Sequence, residues 1–527
     1  MSPARVRPAT GLYAPRSRAE VIETLVTRAH RRLDALDDDT LQHLLEDTLY
    51  RERQRLESQA PVLDELDQLE ALAEALVRRG RGARVTAGLA LVRRWSNEIH
   101  GRFSLPAYRF ASRVFPPALG ALLAAAPARL GTWDVRPDQR VRVEGPLPLI
   151  RQLADEATLV LAPTHVSNLD SPIIGLALTL AGLPPFQYGA GLNLFGNPVL
   201  GWWMSRLGAY TVDRTKQAEL YKDVLKDYSV LQLTRRHHSL FFPGGTRSRS
   251  GLLERRVKKG LLGTGVLAWQ EMLAAGREDP EIYVVPMTLS YTLCLEARTL
   301  IEDFLADQGK QRYIITDDEF SQSRRVAAFA QRVLSLDASV VCRFGAPLDV
   351  LGRPVPEDAT ARAEAAQARR GYVCASDGTV QPDAQRDHVY TDMLARKLVE
   401  VWPRDATVLP THLVAWAAWR SLEEAVDSTD PFRLVRAPVD LRRLGRGHFL
   451  SRLRRAQDAV RAGARQGRWH AELPSSAEGT LDTALDHFAR YHTSRAVGAD
   501  AAGLFVEDAK LCLYYRNRLA HADLEAS

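Results

Sequence analysis

LVLAPTHVSNLDSPIIG, residues 159–175, sets an apolar run against a short polar loop and then a second apolar run. Leu159, Val160 and Leu161 read as a short buried strand ending at Pro163. Ser171 offers an N-cap and Pro172 the first helical position, so the spacing predicts a helix from here through Leu180. A strand-to-helix turn lies at the open edge of an α/β sheet, where ligands bind. This turn carries His165 and Asp170. A carboxylate beside an imidazole fixes its tautomer and stabilises its protonated form, which makes such a pair the smallest general-base unit. His-x-x-x-x-Asp alone is a weak pattern, and a single loop histidine is more often solvated. The downstream sequence gives it weight.

Three later stretches repeat the grammar of an apolar run followed by a polar or glycine-rich turn. In AGLNLFGNPVLGWWMSRLGAYTVDRT (190–215), Tyr210–Val212 leads to Arg214. In SLFFPGGTRSRSG (239–251), Leu240–Phe242 leads to Gly244, Gly245, Thr246, Arg247, Ser248 and Arg249. In IYVVPMTLSYTLCLE (282–296), Ile282–Val285 leads to Pro286 and then Tyr291. Alternating strands, turns and helical stretches indicate an α/β domain. Glycines let a backbone approach an oxyanion, and arginines grip phosphate bidentately.

In this order and spacing, the four segments resemble the four blocks of the glycerolipid acyltransferases. AGLNL (190–194), GAYTVDR (208–214), LYKDVLKDY (220–228), RSRSG followed by Lys258-Lys259-Gly260, and SYTLCLE (290–296) are closer to the glycerol-3-phosphate branch. DTLYRERQRL (47–56), LPTHLVAWAAW (409–419) and LYYRNRLAH (513–521) extend the likeness over most of the chain. The resemblance implies a central mixed sheet flanked by helices, with helical N- and C-terminal domains. It also implies transfer of a fatty acyl group from an acyl-CoA or acyl carrier protein thioester to the sn-1 hydroxyl of glycerol-3-phosphate. His165 would be the base and Asp170 its partner. Arg214, Arg247 and Arg249 would bind phosphate, and Gly244, Gly245, Thr246, Ser248 and Lys258 would complete the substrate loop. Backbone N–H groups near Gly244, Gly245 and Thr246 are candidates for holding the oxyanion or the phosphate.

One position departs from the family, whose third block reads Phe-x-Glu-Gly-x-Arg-Ser. Here the acid is replaced by Gly244. The departure opens a lysophospholipid or another lyso-lipid as acceptor, or a catalytically weak lipid-binding module. A loop rebuilt around Gly244 with positive φ would be strained by any larger residue. The resemblance also carries to Glu296, where a surface pairing with Arg298 or a nearby lysine is the plainer expectation. Lys258 and Lys259 suit a solvated face as well as a phosphate clamp. No nucleophilic cysteine or serine is needed, no metal spacing is evident, and no cofactor is expected beyond the thioester co-substrate. His237-His238 reads as a solvated turn.

The 527 residues are long enough for two or three domains. Seventy basic against 64 acidic side chains leave +6, too little for a dedicated nucleic-acid binder and compatible with anionic lipid surfaces. Arginine greatly outnumbers lysine and alanine is abundant, the mark of a GC-rich bacterial genome. Cys294, Cys342, Cys374 and Cys512 are scattered without a disulfide framework, which suits a reducing cytoplasm. No signal-like apolar core opens the sequence, and no run is long and apolar enough to span a bilayer. Val114–Trp133, broken by Pro116, Pro117 and Pro127, fits an interfacial segment or a buried helix. Trp202-Trp203 is equally double-edged. The expected location is the cytoplasmic face of the inner membrane, held peripherally. The expected divisions are a helical N-terminal domain over 1–100, an apolar interfacial segment over 101–140, and an α/β acyltransferase domain over 141–352. A connector over 353–386 and a helical C-terminal domain over 387–527 follow.

Overall fold

The computed structural model describes residues 17–57, 63–78, 80–111, 141–192, 198–278, 280–308, 340–490, 494–522 and 524. The Val114–Trp133 segment lies outside them. Four helices come first: α1 (Arg18–Ala35), α2 (Asp38–Glu57), α3 (Leu63–Arg78) and α4 (Arg81–Ile99). Ser17 caps α1 by accepting from the Glu20 amide, and Val21, Ile22, Leu25, Ala29 and Leu33 form its buried stripe. Asp37 caps α2: its carboxylate accepts from the Thr40 amide at 2.8 Å.

The next helices are α5 (Leu147–Glu156), α6 (Asp170–Leu180), α7 (Pro198–Arg206), α8 (Glu219–Thr234), α9 (Thr264–Ala274) and α10 (Ala297–Gln308). Interleaved with them are β1 (Val141–Glu144), β2 (Thr158–Pro163), β3 (Gln187–Gly191), β4 (Ala209–Val212), β5 (Ser239–Leu240), β6 (Ile282–Tyr291), β7 (Val340–Phe344) and β8 (Leu348–Asp349). The strands join in the order β1-β7-β6-β2-β5-β3-β4, with β8 also on β6. β6, β2, β5, β3 and β4 are mutually parallel, whereas β7 and β8 run antiparallel to β6 and β1 runs with β7, so the sheet is mixed.

Alternation along β2 separates the two faces. Leu159 and Leu161 join a core with Ile150, Ile174 and Ala177 of α5 and α6, while Val160 and Ala162 join another with Val230 of α8 and Trp269 of α9. The fourth-block strand continues through Pro286 rather than stopping there. Phe344 pairs with Met287, yet Leu348 pairs with Val284, so one extra residue bulges at 345–347 opposite Pro286. A bulge tolerates the missing proline N–H, and the Pro286 carbonyl still accepts from Gly345 at 2.8 Å.

Residues 353–386 hold a helix, α11 (Ala359–Arg370). Beyond it lie α12 (Ala384–Asp405), α13 (Pro410–Val426), α14 (Arg446–Arg465), α15 (Ala477–Arg490) and α16 (Ala509–Asn517). Two small sheets unforeseen from sequence accompany them. One pairs β9 (Thr407–Val408) with β11 (His470–Ala471), and the other runs β10 (Arg443–Leu444), β13 (Gly503–Val506), β12 (Val497–Asp500). α13 is buried along most of its length, with Leu413, Trp419 and Leu422 in the same core as Leu159 and Leu161. Among the described residues, no helix is long and apolar enough to cross a membrane.

Candidate active site

β2 delivers its last residues to the parallel strands' C-terminal edge, and the turn 164–169 begins there. Thr164 pins the start: its amide donates to the Met287 carbonyl and its hydroxyl accepts from the Leu289 amide. His165 Nδ1 lies 2.7 Å from Asp170 Oδ2, and the same oxygen accepts from the Val166 and Ser167 amides at 2.6 and 3.0 Å. Oδ1 accepts from the Tyr291 hydroxyl at 2.6 Å. Asp170 is fully buried while the His165 side chain keeps 15% exposure. With Nδ1–H donated to the carboxylate, Nε2 is the basic nitrogen. α6 starts at Asp170 itself, with Leu169 rather than Ser171 as its N-cap, since the Ile173 amide already donates to the Leu169 carbonyl. Burial and the neighbouring Asp170 raise the Tyr291 phenol well above its ordinary range, so it stays a donor.

The third block closes over the ring. Phe242 stacks on His165 with centroids 4.0 Å apart, and the Ser248 amide donates to the His165 carbonyl at 2.8 Å. Glu296 is not the surface acid expected. It is buried, accepting from the Ser167 hydroxyl and the Asn168 amide, each at 2.8 Å. Arg247 lies 3.6 Å from the same carboxylate, which joins blocks one, three and four. Arg249 is exposed and pairs with Asp307, and Thr246 is exposed. The Gly245 amide is already donated to the Phe242 carbonyl, so it is not free for an oxyanion here. Gly245, not Gly244, holds the positive φ, +78°, and Lys258 folds along it. Lys259 pairs with Asp392.

Glu254 was not legible as a site residue, since nothing in LLERR sets it apart. Its Oε1 accepts from the His165 amide at 2.5 Å. Burial pushes its carboxyl up to about 6, against the lowering effect of that amide. Cys294 Sγ approaches Glu296 at 3.7 Å, but burial raises its thiol far above the range of a nucleophile.

Arg214 sits exposed in the turn after β4, three strands from β2, or about 14 Å at ordinary strand spacing. The structure gathers it onto the same sheet edge as His165, not into contact with it. Its turn is fixed on both sides. The Asp213 amide donates to the Tyr221 hydroxyl, and buried Lys216 pairs with Glu98 of α4. His237 and His238 are not a solvated turn. His238 is fully buried and its Nδ1 accepts from the Leu159 amide at 3.0 Å, with desolvation lowering its pKa to about 3.

The two C-terminal segments of the resemblance reach this site. His412 Nε2 lies 3.1 Å from the Tyr291 carbonyl while its Nδ1 accepts from the Leu409 amide. It thereby holds the residue whose hydroxyl holds Asp170. On α16, the Tyr515 hydroxyl accepts from the Cys294 amide and Asn517 donates to the Ser250 carbonyl. Arg518, just beyond α16, donates to the Gly251 and Leu289 carbonyls. Gly251, at φ +82°, lies where a Cβ would come within 2.3 Å of the Tyr514 carbonyl. We expect Gly251→Ala to cost about 1–3 kcal/mol in denaturant unfolding, and an unchanged midpoint would refute this packing.

Residues 140–290 match the Acyltransferase family model. Glycerol-3-phosphate acyltransferases of Pseudomonas paraeruginosa (strain DSM 24068 / PA7) and Pseudomonas aeruginosa (strain LESB58) are each 26% identical over 451 residues, covering 82% of this chain and 44% of theirs. The chain thus spans less than half the length of these relatives. Matched region, mixed sheet and the names of its relatives agree: over its α/β part the chain is similar to the acyltransferases.

Proposed function

We propose that this protein transfers a fatty acyl group from an acyl-CoA or acyl carrier protein thioester to the sn-1 hydroxyl of glycerol-3-phosphate, the first acylation of phospholipid synthesis. The observation that carries the reading is the buried, fully hydrogen-bonded Asp170 holding Nδ1 of a partly exposed His165. Nε2 takes the hydroxyl proton as the oxygen attacks the thioester carbonyl. Asp170 stabilises the resulting imidazolium, and the proton then serves the departing thiolate. Arg247, with Arg214 and Arg249 on the same edge, supplies the phosphate-binding charge. The names of the relatives favour glycerol-3-phosphate over a lysophospholipid as acceptor.

The acyl chain and the product lipid belong to the bilayer, and we place the protein peripherally on the cytoplasmic face of the inner membrane. Phe110, Leu192 and Trp202 are about half exposed, and Phe110 stacks on Trp203. These side chains give an apolar rim for an anionic surface.

The deciding experiment incubates purified protein with radiolabelled acyl-CoA or acyl carrier protein, and with glycerol-3-phosphate or lysophospholipids. Labelled 1-acyl-glycerol-3-phosphate is the expected product. Label only in a diacyl lipid refutes the acceptor, and no transfer at all favours the lipid-binding module. In the same assay Glu296→Gln should lower kcat/KM about ten- to a hundredfold, since an amide set against Arg247 and the Asn168 amide loses a charge-assisted bond. Wild-type kinetics would remove Glu296 from the site.

A further inference from the structure

Gly244 leaves a space that another residue fills. A Cβ built on Gly244 would lie 2.8 Å from Glu254 Cγ and 3.4 Å from Glu254 Oε1. The volume that a side chain at 244 would enter is thus taken by a carboxylate arriving from ten residues downstream. That carboxylate is not a loose surface acid. Its Oε1 is fixed by the His165 amide, and burial opposes its ionisation. The chain carrying it is pinned at both ends. Before it, Ser250 and Gly251 are held by Asn517 and Arg518; after it, the Lys258 amide donates to the Pro243 carbonyl. Glu296, the other acid near the base, is already engaged by Ser167, Asn168 and Arg247. A carboxylate has about four lone-pair positions, so Glu254 retains capacity after receiving the His165 amide.

We propose that Glu254 is the specificity-determining carboxylate for the acceptor: anchored by the His165 amide, it accepts a hydrogen bond from the hydroxyl of the polyol phosphate that is not acylated. This rests on the acyltransferase reading above and adds to it the residue that selects a phosphomonoester with a second hydroxyl. The absent side chain at 244 and the acid at 254 are then one arrangement, since the backbone admits only one of them in that volume.

The test compares sn-glycerol-3-phosphate with 3-hydroxypropyl phosphate, which lacks the second hydroxyl. The wild type should prefer the former by about ten- to a hundredfold in kcat/KM, the worth of one charge-assisted hydrogen bond. Glu254→Gln keeps an oxygen for the His165 amide, and should raise the KM for glycerol-3-phosphate by that factor. It should nearly abolish the preference and leave the KM for the acyl donor unchanged. Gly244→Glu alone crowds two carboxylates and should bind acceptor poorly, while Gly244→Glu with Glu254→Ala should regain the preference that Glu254→Ala loses. A Glu254→Gln enzyme that discriminates like the wild type overturns the proposal, as does a double variant no better than Glu254→Ala. A wild type that acylates neither compound overturns the acyltransferase reading instead, and the proposal with it.

Discussion

Replacing His165 by alanine lowers kcat by about 10²–10⁴-fold, the usual contribution of a positioned general base, and leaves a folded protein. The ring makes one buried hydrogen bond and one stacking contact. The backbone of residue 165 keeps its bonds to Glu254 and Ser248. Asp170→Asn should fall nearly as far for a different reason. Asparagine retains one oxygen for the Nδ1–H and the Val166 and Ser167 amides, provided its NH₂ group turns toward the Tyr291 oxygen. The shape survives, but the charge that stabilises the imidazolium is gone. Asp170→Ala is the harsher change, because it strands two amides and a buried phenol at about 1–3 kcal/mol each. Single-turnover rates beside thermal melts separate the cases: low kcat with a normal melt for His165→Ala and Asp170→Asn, a lowered melt for Asp170→Ala. Retained turnover in His165→Ala would remove it as the base.

Acid should destabilise this protein well above the usual carboxylate range. Desolvation lowers the pKa of His100, His237 and His521 to about 4, and of His238 and His412 to about 3. Geometry agrees for two of them. His238 Nδ1 and His412 Nδ1 each accept from a backbone amide, which a protonated ring cannot do. In the unfolded chain these rings titrate near 6.5. Their contribution is therefore complete above about 6.5 and is lost as pH falls toward 4, at about 2 kcal/mol per ring by pH 5. Glu254 and Asp405, raised to about 6, act in the opposite direction over nearly the same window. Burial also raises Glu52, Asp227 and Asp349, which act with these two carboxyls, and lowers His470, which acts with the other histidines. The five buried histidines carry the larger shifts, so the melting temperature should drop by about 5 °C between pH 7.5 and pH 5. A level or rising profile would show that these histidines are protonated in the folded state.

The sheet-edge position of His165 was legible because a strand, a polar turn and a proline-led helix fit in seventeen residues, and the apolar runs of β2, β4 and β6 announced themselves by composition. What escaped depends on contacts between distant residues. Glu296 is two positions from Arg298, which made a local pair the plainer expectation, but its hydrogen-bond donors Ser167 and Asn168 lie more than a hundred residues upstream, and Arg247 lies in the third block. Glu254 has no pattern of its own, and its meaning comes from a glycine ten residues earlier. His238 looked solvated because its sequence neighbours are polar; its burial comes from packing against β2 and Phe186. Pro286 seemed to end a strand, and only the bulge on the opposite side explains how the strand continues.

The C-terminal contacts bear on when the site could first take shape during the chain's own synthesis. Tyr291 depends on His412, Cys294 on Tyr515 and the 248–254 loop on Arg518. Translation must therefore proceed more than two hundred residues past the fourth block before the reaction centre is braced. A ribosome-bound chain stopped near residue 352 would have every candidate site residue and still lack the C-terminal helices that share the core with Leu159 and Leu161. Domains tend to fold as they emerge; here the apolar core is shared with helices made last, and a chaperone that shields apolar surface would find its substrate in that interval.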